Sequence, residues 1–213
     1  MLKRMLKFAV IGAVGFGIGS AIGFVIGFII YGFFSHLTAL ILLGFMGGAA
    51  LGLALQDKKM VLYLSFAGAI GGGISHTVGF ALLHHPILNG VGGFMVFTLV
   101  FATMGIIIGA ALGLALQDKR KILYLSCGCS MGFVIGRVIV FVILNAIGFS
   151  VVDATIGLAL ADSIGFSIMS AIAGATSGLA LAYIIKKEED EKTIMSSPKS
   201  ESISKSDNSK DLN

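Results

Sequence analysis

The sequence predicts an all-α membrane protein with six transmembrane helices arranged as three tandem helical hairpins. Three observations carry that expectation. Of 213 residues, 56% are apolar and only 12% are charged, and the mean hydropathy is +0.99. A soluble domain averages roughly 45–50% apolar and about 25% charged. The basic residues of the apolar body fall in a few clusters separated by long uncharged runs. The third observation is a repeat: residues 48–65 and 109–126 agree at fifteen of eighteen positions, at an offset of 61.

Other classes are excluded by the same composition. The chain has 30 glycines, all before Lys186, but they follow no three-residue period, so it is not collagen-like. Two cysteines cannot staple a disulfide scaffold. The apolar content excludes a soluble or wholly disordered chain.

A membrane helix needs about 20 residues. The basic clusters are Lys3, Arg4 and Lys7; Lys58 and Lys59; Lys119, Arg120 and Lys121; and Lys186 with Lys187. Each interval between them holds two spans and a turn. Span 1 covers about 5–30. It begins like a signal peptide, but its apolar run outlasts a 7–15-residue signal core, so it is read as a retained helix. Span 2 covers 38–56 and ends at Gln56-Asp57-Lys58-Lys59. Span 3, at 60–83, ends at His84-His85-Pro86. Span 4, at 92–116, ends at Gln117-Asp118-Lys119-Arg120. Spans 5 and 6 cover 121–147 and 155–185. The turns Tyr31–Leu37, His84–Val91 and Gly148–Ala154 hold no Lys or Arg. By the positive-inside rule the basic ends face the cytoplasm, which puts both termini inside a cell membrane. The anionic leaflet explains these cations without a nucleic-acid partner. Residues 186–213 carry six Lys and seven acids among serines, with little to bury, and are expected to be a disordered cytoplasmic tail.

The repeat reaches beyond its central match. Residues 3–19 align with 120–136 at an offset of 117, and 174–187 follow 109–122 at an offset of 65. The unit is a hairpin entered from the cytoplasm, at about 3–57, 58–118 and 119–185. Copies with an even number of spans keep one orientation and are related by an axis along the membrane normal. A pseudo-three-fold bundle follows.

Glycines recur every fourth residue: Gly15, Gly19, Gly23 and Gly27; Gly44, Gly48 and Gly52; Gly105, Gly109 and Gly113; Gly128, Gly132 and Gly136; and Gly174 with Gly178 after Ser170. That spacing lines one helix face and lets backbones approach closely, as glycine-zipper packing requires. The glycine-rich hairpins loosely resemble the proteolipid subunits of rotary ATPases, and three fused hairpins resemble the mitochondrial carriers. The first family needs a mid-membrane carboxylate, which spans 2 and 4 lack. The Pro-x-acid-x-x-basic signatures of the second are absent. Neither family is assigned.

Arg137 stands alone as a basic residue away from a membrane edge, about 24 Å beyond Lys121 at 1.5 Å per residue. An arginine at the bilayer centre costs at least ~2.5–3.5 kcal/mol, so it needs a partner or water. The repeat aligns it with His76 and Ser20, three polar groups at one depth that can face one axis. Asp162 is the one acid well inside a span and is the expected counter-ion. These four residues are the candidates for a permeation path. His36, His76, His84 and His85 show no metal-ligand spacing, so no metal is expected. Cys127 and Cys129 point about 200° apart on a helix and suit packing. No catalytic set and no phosphate loop is visible, so neither an enzyme nor a cofactor is expected.

Two functions fit. One is a small-solute or ion permease or channel with its polar site in the outer half of the bundle. The alternative is a non-transporting scaffold or accessory subunit, whose glycine faces bind another copy or a membrane partner. In both, the first partner is the lipid bilayer.

Overall fold

In hydrocarbon a peptide group has no water to bond, so an apolar run satisfies its own N–H and C=O groups by forming a helix. The computed structural model describes residues 2–30, 34–85, 93–146 and 155–196. The side chains of 155–162 and of a few other helix-end residues lie outside that description. Every regular element among the described residues is a helix: α1 (Leu2–Ile30), α2 (Phe34–Ala54), α3 (Lys58–Leu83), α4 (Gly93–Ala115), α5 (Lys119–Ala146) and α6 (Thr155–Ser196). All six are long and apolar enough to cross a membrane. The turn expected at Gly148–Ala154 lies outside the described residues, as do parts of the other two uncharged turns.

Two ends differ from the sequence expectation. Helix α2 starts at Phe34, inside the turn expected at 31–37. Helix α6 continues to Ser196, well past the border expected at 185. Its 42 residues measure about 63 Å, twice the thickness of a hydrocarbon core. The extension is charged, and its acids meet cations on other helices. Glu189 accepts from Arg4 at 2.7 Å, Glu188 pairs with Lys121 at 2.9 Å and Glu191 with Arg120 at 3.2 Å. Composition alone could not show these partners. The stretch 197–213 lies outside the described residues.

Each helix packs on its chain neighbours, and α6 packs on α1. Glycines line these contacts. A side chain added at Gly44 would strike the backbone of Gly68, one at Gly48 that of Leu64, and one at Gly52 that of Val61, so this ridge of α2 lies on α3. Sixty-one residues later the pattern recurs between α4 and α5, with Gly105 on Ser130, Gly109 on Leu125 and Gly113 on Ile122. On α6, Gly174 meets Gly12 of α1 and Gly178 meets Phe8. Within hairpins, Gly15 lies on Ala50, Gly71 on Ala111 and Gly132 on Thr176. Gly19 and Gly23 lie on Leu43 and Ala39 of α2, and Gly136 on Met169 of α6. These glycines therefore face helices of the same chain.

Large side chains fill the remaining space. Phe16, Phe133, Leu40, Leu43, Leu51, Leu64, Ile108, Leu112, Leu125 and Leu181 are fully buried. Phe101, Phe133 and Phe166, from α4, α5 and α6, form a triangle with ring centroids 6.2, 5.9 and 6.4 Å apart. Phe24 of α1 meets Phe166 edge-on at 5.2 Å. Outward faces carry apolar residues such as Val10, Val14, Leu53, Phe66, Ile70 and Leu123, as lipid contact requires.

Candidate functional site

Ser20 lies on α1 and is fully buried. Its Oγ is 3.4 Å from Oγ of Ser167 on α6, which itself donates to the Ser163 carbonyl at 2.8 Å. A serine inside a helix can return its hydroxyl to the preceding turn, so burial leaves it satisfied. Ser75, Ser170 and Ser177 do the same, donating to Gly72, Phe166 and Ala173 at 2.7–2.8 Å.

His76 lies on α3 and is half-buried. Its ring stacks on Phe80 at 6.3 Å, Phe80 reaches His84 at 4.1 Å, and His36 of α2 is within electrostatic range. His36 in turn meets Phe24 edge-on at 5.3 Å.

Arg137 on α5 is half-buried and lies against α4. Its guanidinium carbon is 5.8 Å from the Phe94 ring centroid and 5.5 Å from that of Phe97. An arginine over aromatic faces exchanges hydration for ring quadrupoles, worth up to ~2 kcal/mol when desolvated. Asp162 lies on α6, and its side chain is outside the described residues, so the proposed Arg137–Asp162 pair is too. Ser20 meets Ser167 of α6, His76 stacks on Phe80 of its own helix, and Arg137 lies over Phe94 and Phe97 of α4.

The basic end of the bundle holds features that sequence reasoning passed over. Gln56 and Gln117 have φ of 59° and 53°, the left-handed conformation that ends a helix. Asp57 then caps α3, its Oδ1 accepting from the Lys59 N–H at 2.8 Å and the Met60 N–H at 3.4 Å. Asp118 accepts from the Arg120 N–H at 2.8 Å. These bonds hold the Asp118 carboxyl below its ordinary value of 3.8, the Arg120 amide being the largest cause and Lys121 adding to it. From the sequence, each Asp reads as an ill-placed acid at the end of the helix before it. It belongs to the helix after it, as an N-cap immediately ahead of the next apolar run.

Two cavities open beside these turns. One, of about 430 Å³, is lined by Arg4, Lys7, Phe8, Ala54, Leu55, Gln56 and Ile185. The other, of about 220 Å³, is lined by Met60, Tyr63, Ala115, Leu116 and Gln117. Under the repeat offsets all five residues lining the second cavity correspond to residues lining the first. The Ala-Leu-Gln floor is the same, Met60 stands for Arg4 and Tyr63 for Lys7.

No protein-family model matches this chain, and neither does any curated protein or solved structure.

Proposed function

We propose that the chain is a non-transporting multi-pass component of the cell membrane, a scaffold or accessory subunit that works through its basic, cytoplasmic end. Both termini lie on that side. Three tandem hairpins surround a pseudo-three-fold axis, and their zipped glycine faces are used within the chain rather than for assembly. The recurrence of the α2–α3 contacts between α4 and α5 supports the tandem arrangement. It is not an enzyme and needs no cofactor.

The observation that carries this reading is the filled interior. Phe101, Phe133 and Phe166 close on one another across three helices, where a permeation path would need polar lining and water. Arg137 rests on aromatic rings of α4 instead. With these glycine faces occupied, the surface we assign to a soluble or membrane-bound partner is the cytoplasmic end, with its ion pairs and two cavities.

The test is flux. Purified protein in liposomes is expected to leak K⁺, Cl⁻ and H⁺ no faster than protein-free vesicles. Flux that disappears in both Arg137→Leu and Asp162→Asn, with folding intact, would overturn the proposal. It would install the second reading, a permease built on Ser20, His76, Arg137 and Asp162. That reading draws its support from the buried Ser20–Ser167 contact on α1 and α6 and from an arginine within the apolar length of α5.

A further inference from the structure

We infer that the larger cavity at the basic end is a binding site for the headgroup of an anionic phospholipid. Arg4 and Lys7 supply the charge, and Phe8, Leu55 and Ile185 line the start of an acyl chain. The inference rests on the cytoplasmic placement of the basic end, and not on whether the protein transports.

Arg4 and Lys7 are three apart on α1, so they share one helix face. Arg4 is anchored. Only its Nη1 is engaged by Glu189, at 2.7 and 2.9 Å to the two carboxylate oxygens. A guanidinium has five N–H donors, so several remain for a phosphate. Lys7 is exposed beside it and adds a second charge. Beside the cations the lining is apolar, with Phe8 buried and Leu55 and Ile185 half-buried. Cations set beside an apolar lining suit a headgroup joined to its acyl chain. A free phosphate would use only the cations.

The chain carries its own control. The smaller cavity, at the equivalent place between α3 and α4, has the same Ala-Leu-Gln floor but Met60 and Tyr63 where the first has Arg4 and Lys7. The cations are therefore not required to form the turn or the hollow. At the third equivalent place Lys121 stands for Arg4, but Asp118 and Glu188 both pair with it. One of three related places thus combines a cavity with two cations against a single acid.

The test is native mass spectrometry of the full chain released from neutral detergent, with phosphatidylglycerol or phosphatidylcholine of matched acyl length. One phosphatidylglycerol is expected to be retained in preference to phosphatidylcholine. Lys7→Gln, an exposed change that leaves packing alone, should weaken retention about fivefold, the usual effect of one cation near an anionic headgroup. Glu189→Gln should strengthen it by freeing Arg4. The double change M60R/Y63K should raise the count from one to two by charging the second cavity. Equal retention of phosphatidylcholine, an unchanged Lys7→Gln, or no added lipid in M60R/Y63K would overturn the assignment. Displacement by inorganic phosphate at equal concentration would also overturn it in favour of a free anion. None of these outcomes bears on flux, so this inference and the scaffold proposal fail separately.

Discussion

The seams between hairpins are not all held the same way. The α2–α3 and α4–α5 seams are each closed at the basic end by a turn of a few residues, and their glycine contacts match to within one residue. The α6–α1 seam joins the two ends of the chain and has no turn. Its register differs as well. Gly109, the repeat equivalent of Gly174, lies on Leu125, which corresponds to Phe8; yet Gly174 lies on Gly12, one helical turn further along. Where a short turn connects two helices, the turn fixes their register. Where none does, side chains and small residues choose it. Here they choose the place where two glycines meet, so the backbones can approach closest. The Arg4–Glu189 ion pair then ties the seam at its end.

The comparison breaks most severely at the glycines. A Cβ at Gly44 would overlap the carbonyl of Gly68, and one at Gly12 the carbonyl of Gly174. Neither neighbour can swing away, because both are backbone. Gly44→Val and Gly12→Val should each destabilise by about 3 kcal/mol or more, at the upper end of overpacking costs. Thermal unfolding in detergent measures it. The two should differ in kind. Gly12→Val should part α6 from α1, lowering the yield of a cross-link between cysteines placed at 4 and 189, whereas the turn keeps α3 beside α2 in Gly44→Val. The control is Gly73, whose added Cβ meets only Ile41 Cγ1 at 3.9 Å. Gly73→Ala should stabilise by up to ~1 kcal/mol through helix propensity.

Much of this frame is legible in the sequence, because the bilayer dictates it. Helix number and approximate ends follow from apolar length and basic clusters. What four-residue spacing cannot reveal is which neighbour a glycine faces. Gly44 and Gly15 have the same local pattern, yet one faces the next hairpin and the other faces its own partner. Arg137 was legible as an anomaly, but its aromatic surroundings were not, since Phe94 and Phe97 lie some forty residues away in the chain. The α6 extension was missed for a related reason. Its helix is stabilised by cations at positions 4, 120 and 121, and composition has no term for partners that distant.

The turns come next in size. At Gln56 and Gln117 a side chain occupies a left-handed conformation, which costs an L residue roughly 1–2 kcal/mol. Gln56→Gly should recover about 1 kcal/mol, and Asp57→Ala should lose about 1 kcal/mol by removing the cap. If the turn sets register, Asp57→Ala should also loosen the α2–α3 seam, seen as faster amide exchange at the start of α3, and leave α6–α1 unchanged. Asp118 adds a pH test. Its carboxyl titrates lower in the folded chain than in the unfolded one, so its contribution is present above the ordinary value of 3.8. That contribution is lost as pH falls through the lower folded value. The melting temperature should drop more steeply below pH 4 in the native chain than in Asp118→Asn.

The smallest effect belongs to the ion pair that closes the turnless seam. Arg4 and Glu189 are about half exposed, at 46% and 55%, so solvent screens them and the pair is worth at most ~1 kcal/mol. Glu189→Gln should therefore shift the melting temperature by a few degrees or less at low salt. The shift should vanish near 1 M salt, where the Debye length is about 3 Å. The glycine contact of the same seam is uncharged backbone against backbone and has no such salt dependence. A double variant of Gly12→Ala with Glu189→Gln separates the two contributions. If glycine packing sets the register and the ion pair only secures its end, the loss from Gly12→Ala is the same with and without Glu189. If instead the ion pair pulls α6 one turn along α1, removing Glu189 lets the helix slip back and relieves the clash. Gly12→Ala would then cost less in the double variant than alone.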